Sequence, residues 1–132
     1  MARKLYDVLG ENRWADSRVD ILDVPASPTW TLVGELNPTL KNGSAYTVAL
    51  SLTMTMADTN DSALFRFSID GGSSWEEFSK EAKDANDRVT ADYFFPVTGA
   101  GVPFHVILEV SKTSGGNTLD VHYANLVIKR ES

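Results

Sequence analysis

Residues 44–57, SAYTVALSLTMTMA, alternate strictly. Tyr46, Val48, Leu50, Leu52, Met54 and Met56 fall on one side; Thr47, Ala49, Ser51, Thr53 and Thr55 fall on the other. Successive side chains of an extended chain point to opposite faces, so this spacing yields one apolar face and one small, uncharged face. The run predicts a long, half-buried strand. Such a strand needs a second layer to cover its apolar face, and this requirement limits the fold more than any other feature.

Further strands are predicted over 29–36 (TWTLVGEL), SALFRFSID with Phe65, Phe67 and Ile69 on one face, 88–97, 102–110 and 117–130. Turn chemistry separates them, in NPTLKNGS, ADTND, DGGSS, VTGAG and TSGGNT. Residues 79–87, SKEAKDAND, are rich in Lys, Glu and Ala and predict a helical turn or a short helix. The chain shows no internal repeat. Six to eight short strands with regular turns predict an all-β fold, an antiparallel β-sandwich or jelly roll. Its length of 132 residues suits one domain with its own core.

The last two strands can be placed in register. Setting Ser111 opposite Thr118 pairs Val110 with Leu119, Leu108 with Val121 and Val106 with Tyr123, all core-like. It also sets Glu109 against Asp120 and brings His122 near His105.

Residues 1–28 differ from the rest. They mix charges with spaced apolar residues and end in a Pro-rich turn, which predicts an extended N-terminal arm ahead of a sandwich domain over 29–132. Tyr6, Leu9, Trp14 and Ile21 are the anchors by which this arm is expected to mediate assembly.

Composition narrows the functional classes. The absence of cysteine excludes a disulfide scaffold and a thiolate metal site. No apolar h-region follows the basic N-terminal residues, and no stretch approaches a membrane span, so a protein made in the cytosol is expected. The net charge is −6, which gives no overall attraction to nucleic acid. The acidity concentrates in residues 58–92 and is read as solvated loops and turns.

No catalytic constellation stands out. Glu76 and Glu77 are not singled out as a glycosidase pair by any spacing. There is no nucleophile elbow and no phosphate-binding loop. DTNDS opens like a calcium loop but has Ala63 and Ile69 where that loop needs Gly and Glu. His105, His122, Glu109 and Asp120 make a weak zinc signal. No catalytic residue, metal or cofactor is expected. Trp14, Trp30, Tyr93, Phe94 and Phe95 are the aromatic candidates for stacking on a glycan. Of these, Trp30 and Phe94 are expected to be buried, and Trp14 is the first to test.

The run Ser68-Ile69-Asp70-Gly71-Gly72-Ser73-Ser74-Trp75 resembles the Asp-box, S-x-D-x-G-x-[ST]-W, best known from sialidase propellers. In the families that carry it the motif is a structural hairpin away from the active site, and propellers carry several copies. One copy in a short chain implies a hairpin held by Ser68, Asp70, Gly72, Ser74 and Trp75, without catalysis. The chain as a whole resembles tailed-bacteriophage virion structural proteins of the jelly-roll capsid decoration, or cement, type, in its size, its arm, its Thr/Ser-rich strand and the SIDGGSSW hairpin. That resemblance implies a non-enzymatic virion component. It implies a symmetric oligomer, often a trimer, bound to the viral major capsid protein or another virion protein, with neither nucleic acid nor membrane as partner. The alternative is a carbohydrate-binding module, or a receptor-binding tip or tail accessory protein.

Overall fold

A computed structural model describes residues 12–57, 62–81, 86, 88–113 and 118–131. Along the chain run β1 (Arg13–Ile21), β2 (Thr31–Leu36), β3 (Ala45–Met56), β4 (Ser62–Ser68), β5 (Glu76–Glu81), β6 (Arg88–Thr98), β7 (Val106–Lys112) and β8 (Leu119–Arg130). They form two four-stranded antiparallel sheets, ordered β1-β8-β3-β6 and β2-β7-β4-β5. The pairing is nested. β1 pairs β8, β2 pairs β7, β3 pairs β6 and β4 pairs β5. The chain is thus one long hairpin, rolled so that β3 also meets β8 and β4 also meets β7. This is a jelly roll. The turn between β4 and β5 is the tip of the rolled hairpin, and it is the Asp-box segment. Among the described residues no helix is long and apolar enough to cross a membrane.

The core forms where the alternation of β3 predicts it. Tyr46, Val48, Leu50, Leu52, Met54 and Met56 are all buried. They face Phe65 and Phe67 of β4 and Val106, Leu108 and Val110 of β7 across the sandwich, with Leu126 and Ile128 of β8 alongside. Each such side chain contributes roughly 1.5–3 kcal/mol through its removal from water. The sheets approach closely at Gly34, where a β-carbon would lie 3.3 Å from the β-carbon of Leu126 and 3.5 Å from that of Leu108. Gly34 follows a register shift in β2 that tucks Val33 inward and leaves Leu32 partly exposed.

Three expectations are corrected. First, β7 and β8 do not form a hairpin; they lie in opposite sheets. Both strands bury a Val/Leu face, and two such faces fit equally well side by side or across a core, so the apolar match could not choose between them. Tyr123 does not face Val106 either. A register shift in β8 after Val121 puts Tyr123 on the outer surface, 41% exposed.

Second, the arm expected over 1–28 is, from Arg13 to Ile21, an edge strand of the sandwich. Trp14 packs against Tyr46, with ring centroids 6.0 Å apart. Asp16 turns inward and is fully buried. It pairs with Arg18 at 2.8 Å and accepts the Glu35 N–H at 2.8 Å, joining one sheet to the other. Tyr6 and Leu9 lie outside the described residues. Third, Ser79–Glu81, expected as helix, continue β5. It is hydrogen-bonded to a single neighbouring strand, β4, and charge at a sheet edge discourages pairing with another chain.

Candidate ligand groove beside the Asp-box turn

The turn is organised by short polar side chains. Gly71 and Gly72 take positive φ, 71° and 98°, which residues with a β-carbon rarely adopt. The Ser68 hydroxyl donates to Asp70 Oδ1 at 2.7 Å and accepts the Gly72 N–H at 2.8 Å. Asp70 Oδ1 also accepts the Ser74 N–H at 2.9 Å, and Oδ2 accepts the Ser74 hydroxyl at 2.5 Å. These bonds, those from Ser74 and Ser68 foremost, hold the Asp70 carboxyl at about 2, below its ordinary 3.8. The carboxylate is exposed, but its oxygens are engaged by its own turn.

Trp75 closes the motif on the solvent side of the β2-β7-β4-β5 sheet. The Arg66 guanidinium lies between two indoles, 3.9 Å from the Trp75 ring centroid and 4.2 Å from that of Trp30. Arg66 also donates through Nε and Nη2 to Glu109 Oε1, at 2.9 and 2.7 Å. Cation–π contact and ion pair together fix the hairpin to β7 and to the start of β2.

On the inner side the same hairpin borders a groove of about 330 Å³ lined by Phe67, Ile69, Ser74, Glu76, Tyr93 and Phe95. It lies where the edge strands β5 and β6 approach each other across the sandwich. The aromatic residues of β4, β5 and β6 stack there. Phe67 lies 5.2 Å from Phe95 with ring planes 16° apart, and 6.1 Å from Phe78 with planes 10° apart. Tyr93 lies 5.3 Å from Phe67 and 5.8 Å from Phe95, tilted to both.

The sequence-derived candidates sort differently in three dimensions. Tyr93 and Phe95 meet in the groove. Phe94 points the other way from β6 and is 75% exposed, although burial was expected. A strand of three consecutive aromatics must turn one outward, and the pairing of Phe94 with Ala49 sets which one. Trp30 is half-buried on Arg66, and Trp14 is half-buried on Tyr46. Phe67 and Glu76 escaped the sequence reading as groove residues, the first read as core and the second as surface charge. They face each other as partners in the β4–β5 hairpin, and the approach of β5 to β6 brings Tyr93 and Phe95 to them, which no local pattern encodes.

The suspected cluster of His105, His122, Glu109 and Asp120 is dispersed over two sheets. His105 Nε2 is 2.6 Å from Glu35 Oε2, and His122 Nε2 is 2.5 Å from Thr55 Oγ1. Asp120 accepts the Asp23 N–H, and Glu109 is held by Arg66. No group of three potential ligands that could hold a metal ion occurs among the described residues. The calcium-like DTNDS segment lies largely outside them.

No protein-family model matches the sequence, and no curated protein matches it. Solved structures share the fold. A structure of infectious bursal disease virus, Gx strain, superposes with a TM-score of 0.60 at 7% identity, over 96% of this chain and 34% of that one. The Gt strain gives 0.59 at 6% identity, over 89% and 32%. A VP2 subviral particle of the same virus gives 0.51 at 8% identity, over 91% and 37%. The chain therefore spans about a third of the length of these structures, and at such identity the likeness is one of fold.

Proposed function

We propose that this protein is a non-enzymatic structural component of a virus particle, a bacteriophage capsid decoration protein that binds the head as a symmetric oligomer, a trimer. The observation that carries this reading is the superposition of nearly the whole jelly roll on virus-particle structures. A second feature fits it. The outer face of the β1-β8-β3-β6 sheet is broad and small-featured, with Thr47, Ala49, Ser51, Thr53 and Thr55 at its centre. Phe94 and Tyr123 stand out from it, exposed by 75% and 41%. A face of small side chains with protruding rings suits contact with a virion protein, since aromatic anchors carry much of the energy of protein interfaces.

The test is to add the purified protein to particles lacking it and measure their resistance to heat. The wild type is expected to restore that resistance, whereas Phe94→Ser, which alters no buried contact, is expected to fold normally and restore less. Equal restoration by both would remove this face from the interface. A second reading, a glycan-binding or receptor-binding virion protein, is favoured by the aromatic groove beside the Asp-box turn.

A further inference from the structure

The groove between β5 and β6 has a polarity that selects among ligands. Its floor is apolar and layered. Phe67 lies between Phe95 and Phe78 with ring planes only 16° and 10° from parallel. Phe67 engages its ring with these neighbours, and the rings of β6 left to a ligand are Tyr93 and Phe95, 5.8 Å apart and tilted 44° to each other. Two such rings can pack on the apolar face of a sugar ring but do not make the several-walled cage that holds a compact cation best.

The polar rim is made of acceptors. Glu76, exposed at the mouth, can only accept hydrogen bonds when ionised. The Ser74 hydroxyl hydrogen is directed to Asp70 Oδ2 at 2.5 Å, so lone pairs are what Ser74 has left to offer. Glu76 stands in the lining, Asp70 stands behind Ser74, and no Lys, Arg or His is among the described lining residues. An anionic ligand would meet two carboxylates there. The matching ligand is uncharged, has one apolar face and carries several hydroxyl donors on its edge. A volume of about 330 Å³ lies at the lower end of small-ligand sites, which run from roughly 300 to 1,000 Å³.

We propose that the groove binds a neutral saccharide, with its C–H face on Tyr93 and Phe95 and its hydroxyls donating to Glu76 and Ser74. This deepens the second reading above and rests on it; the decoration reading stands or falls separately.

The full chain is titrated calorimetrically with neutral gluco-, galacto- and manno-oligosaccharides, with a sialylated oligosaccharide and with tetramethylammonium. At least one neutral saccharide is expected to bind, and the two charged probes to give no binding heat. Tyr93→Ala is expected to weaken the neutral ligand about tenfold or more. Glu76→Gln, an exposed and nearly isosteric change, is expected to weaken it with an unchanged melting curve. The Gln variant keeps the test decisive if Tyr93→Ala loosens the aromatic stack. Binding of the sialylated or ammonium probe, abolished by Tyr93→Ala, would overturn the neutral-saccharide assignment while keeping a ligand groove. Binding of a neutral saccharide that neither variant alters would place the site elsewhere and overturn the proposal. Failure of every saccharide to bind would overturn both the proposal and the glycan reading.

Discussion

Asp70 directs both carboxylate oxygens into its own turn, where Ser68 and Ser74 donate to them. These bonds favour the ionised form and hold the group at about 2. A carboxyl whose folded value lies below its unfolded value stabilises the fold above the unfolded value and loses that contribution as the pH falls through the folded one. Asp70→Ala is therefore expected to melt below the wild type at pH 6, and the gap is expected to narrow as the pH falls from about 4 to 2. Thermal melts of both proteins across that range check it; a constant gap would show that the charge is not what holds the turn. Gly34 makes a second, sharper case. The atoms nearest an added β-carbon are the β-carbons of Leu126 and Leu108, fixed directly to two strands, so a neighbouring strand must move. Gly34→Ala is expected to cost about 1–3 kcal/mol, as overpacking does, measured by chemical denaturation. Neutral behaviour would mean that the sheets part easily.

At the level of elements, β1 changes what truncation should do. If residues before 25 were only an assembly arm, deleting them would leave the fold intact. β1 instead runs beside β8 along its whole length and supplies buried Asp16, which accepts an N–H from β2. Deleting residues 1–24 is expected to abolish the cooperative melt or lower it markedly, because it strips one edge from the sheet and leaves Val24 and its bond to Leu119 missing as well. A truncated chain that melts as the wild type would restore the arm reading. The same strand shows where sequence legibility ended. β3 could be read because all its inward positions are apolar. The inward series of β1 is Trp14, Asp16 and Arg18, in which an ion pair replaces two apolar side chains, so the period-two signal vanishes. β5 was hidden for a related reason: as an edge strand covered on one side by β4 it carries EEFSKE, a composition that favours helix by local propensity and becomes strand only through pairing. The Asp-box turn was legible, since its bonds are local. The groove was not, since Tyr93 and Phe95 reach the paired Phe67 and Glu76 only after rolling.

For the whole molecule, rolling one long hairpin gives two sheets with distinct outer faces. One sheet turns outward a Thr/Ser/Ala-rich face bearing Phe94, and the other carries the Trp30–Arg66–Trp75 stack on its solvent side. The groove opens between their edges, beside the hairpin tip, lined by Tyr93 and Phe95, which point the opposite way from Phe94. Attachment through the face that bears Phe94 would thus leave the groove open to solvent, and a particle-bound protein could still present it. The claim tested most directly is attachment to a virus particle. Purified protein is mixed with particles that lack it, the particles are pelleted, and the bound copies are counted. The account predicts saturable co-sedimentation at a fixed number of copies per particle, in multiples of three. Protein that remains in the supernatant at every concentration, while the particles gain no resistance to heat, would contradict it.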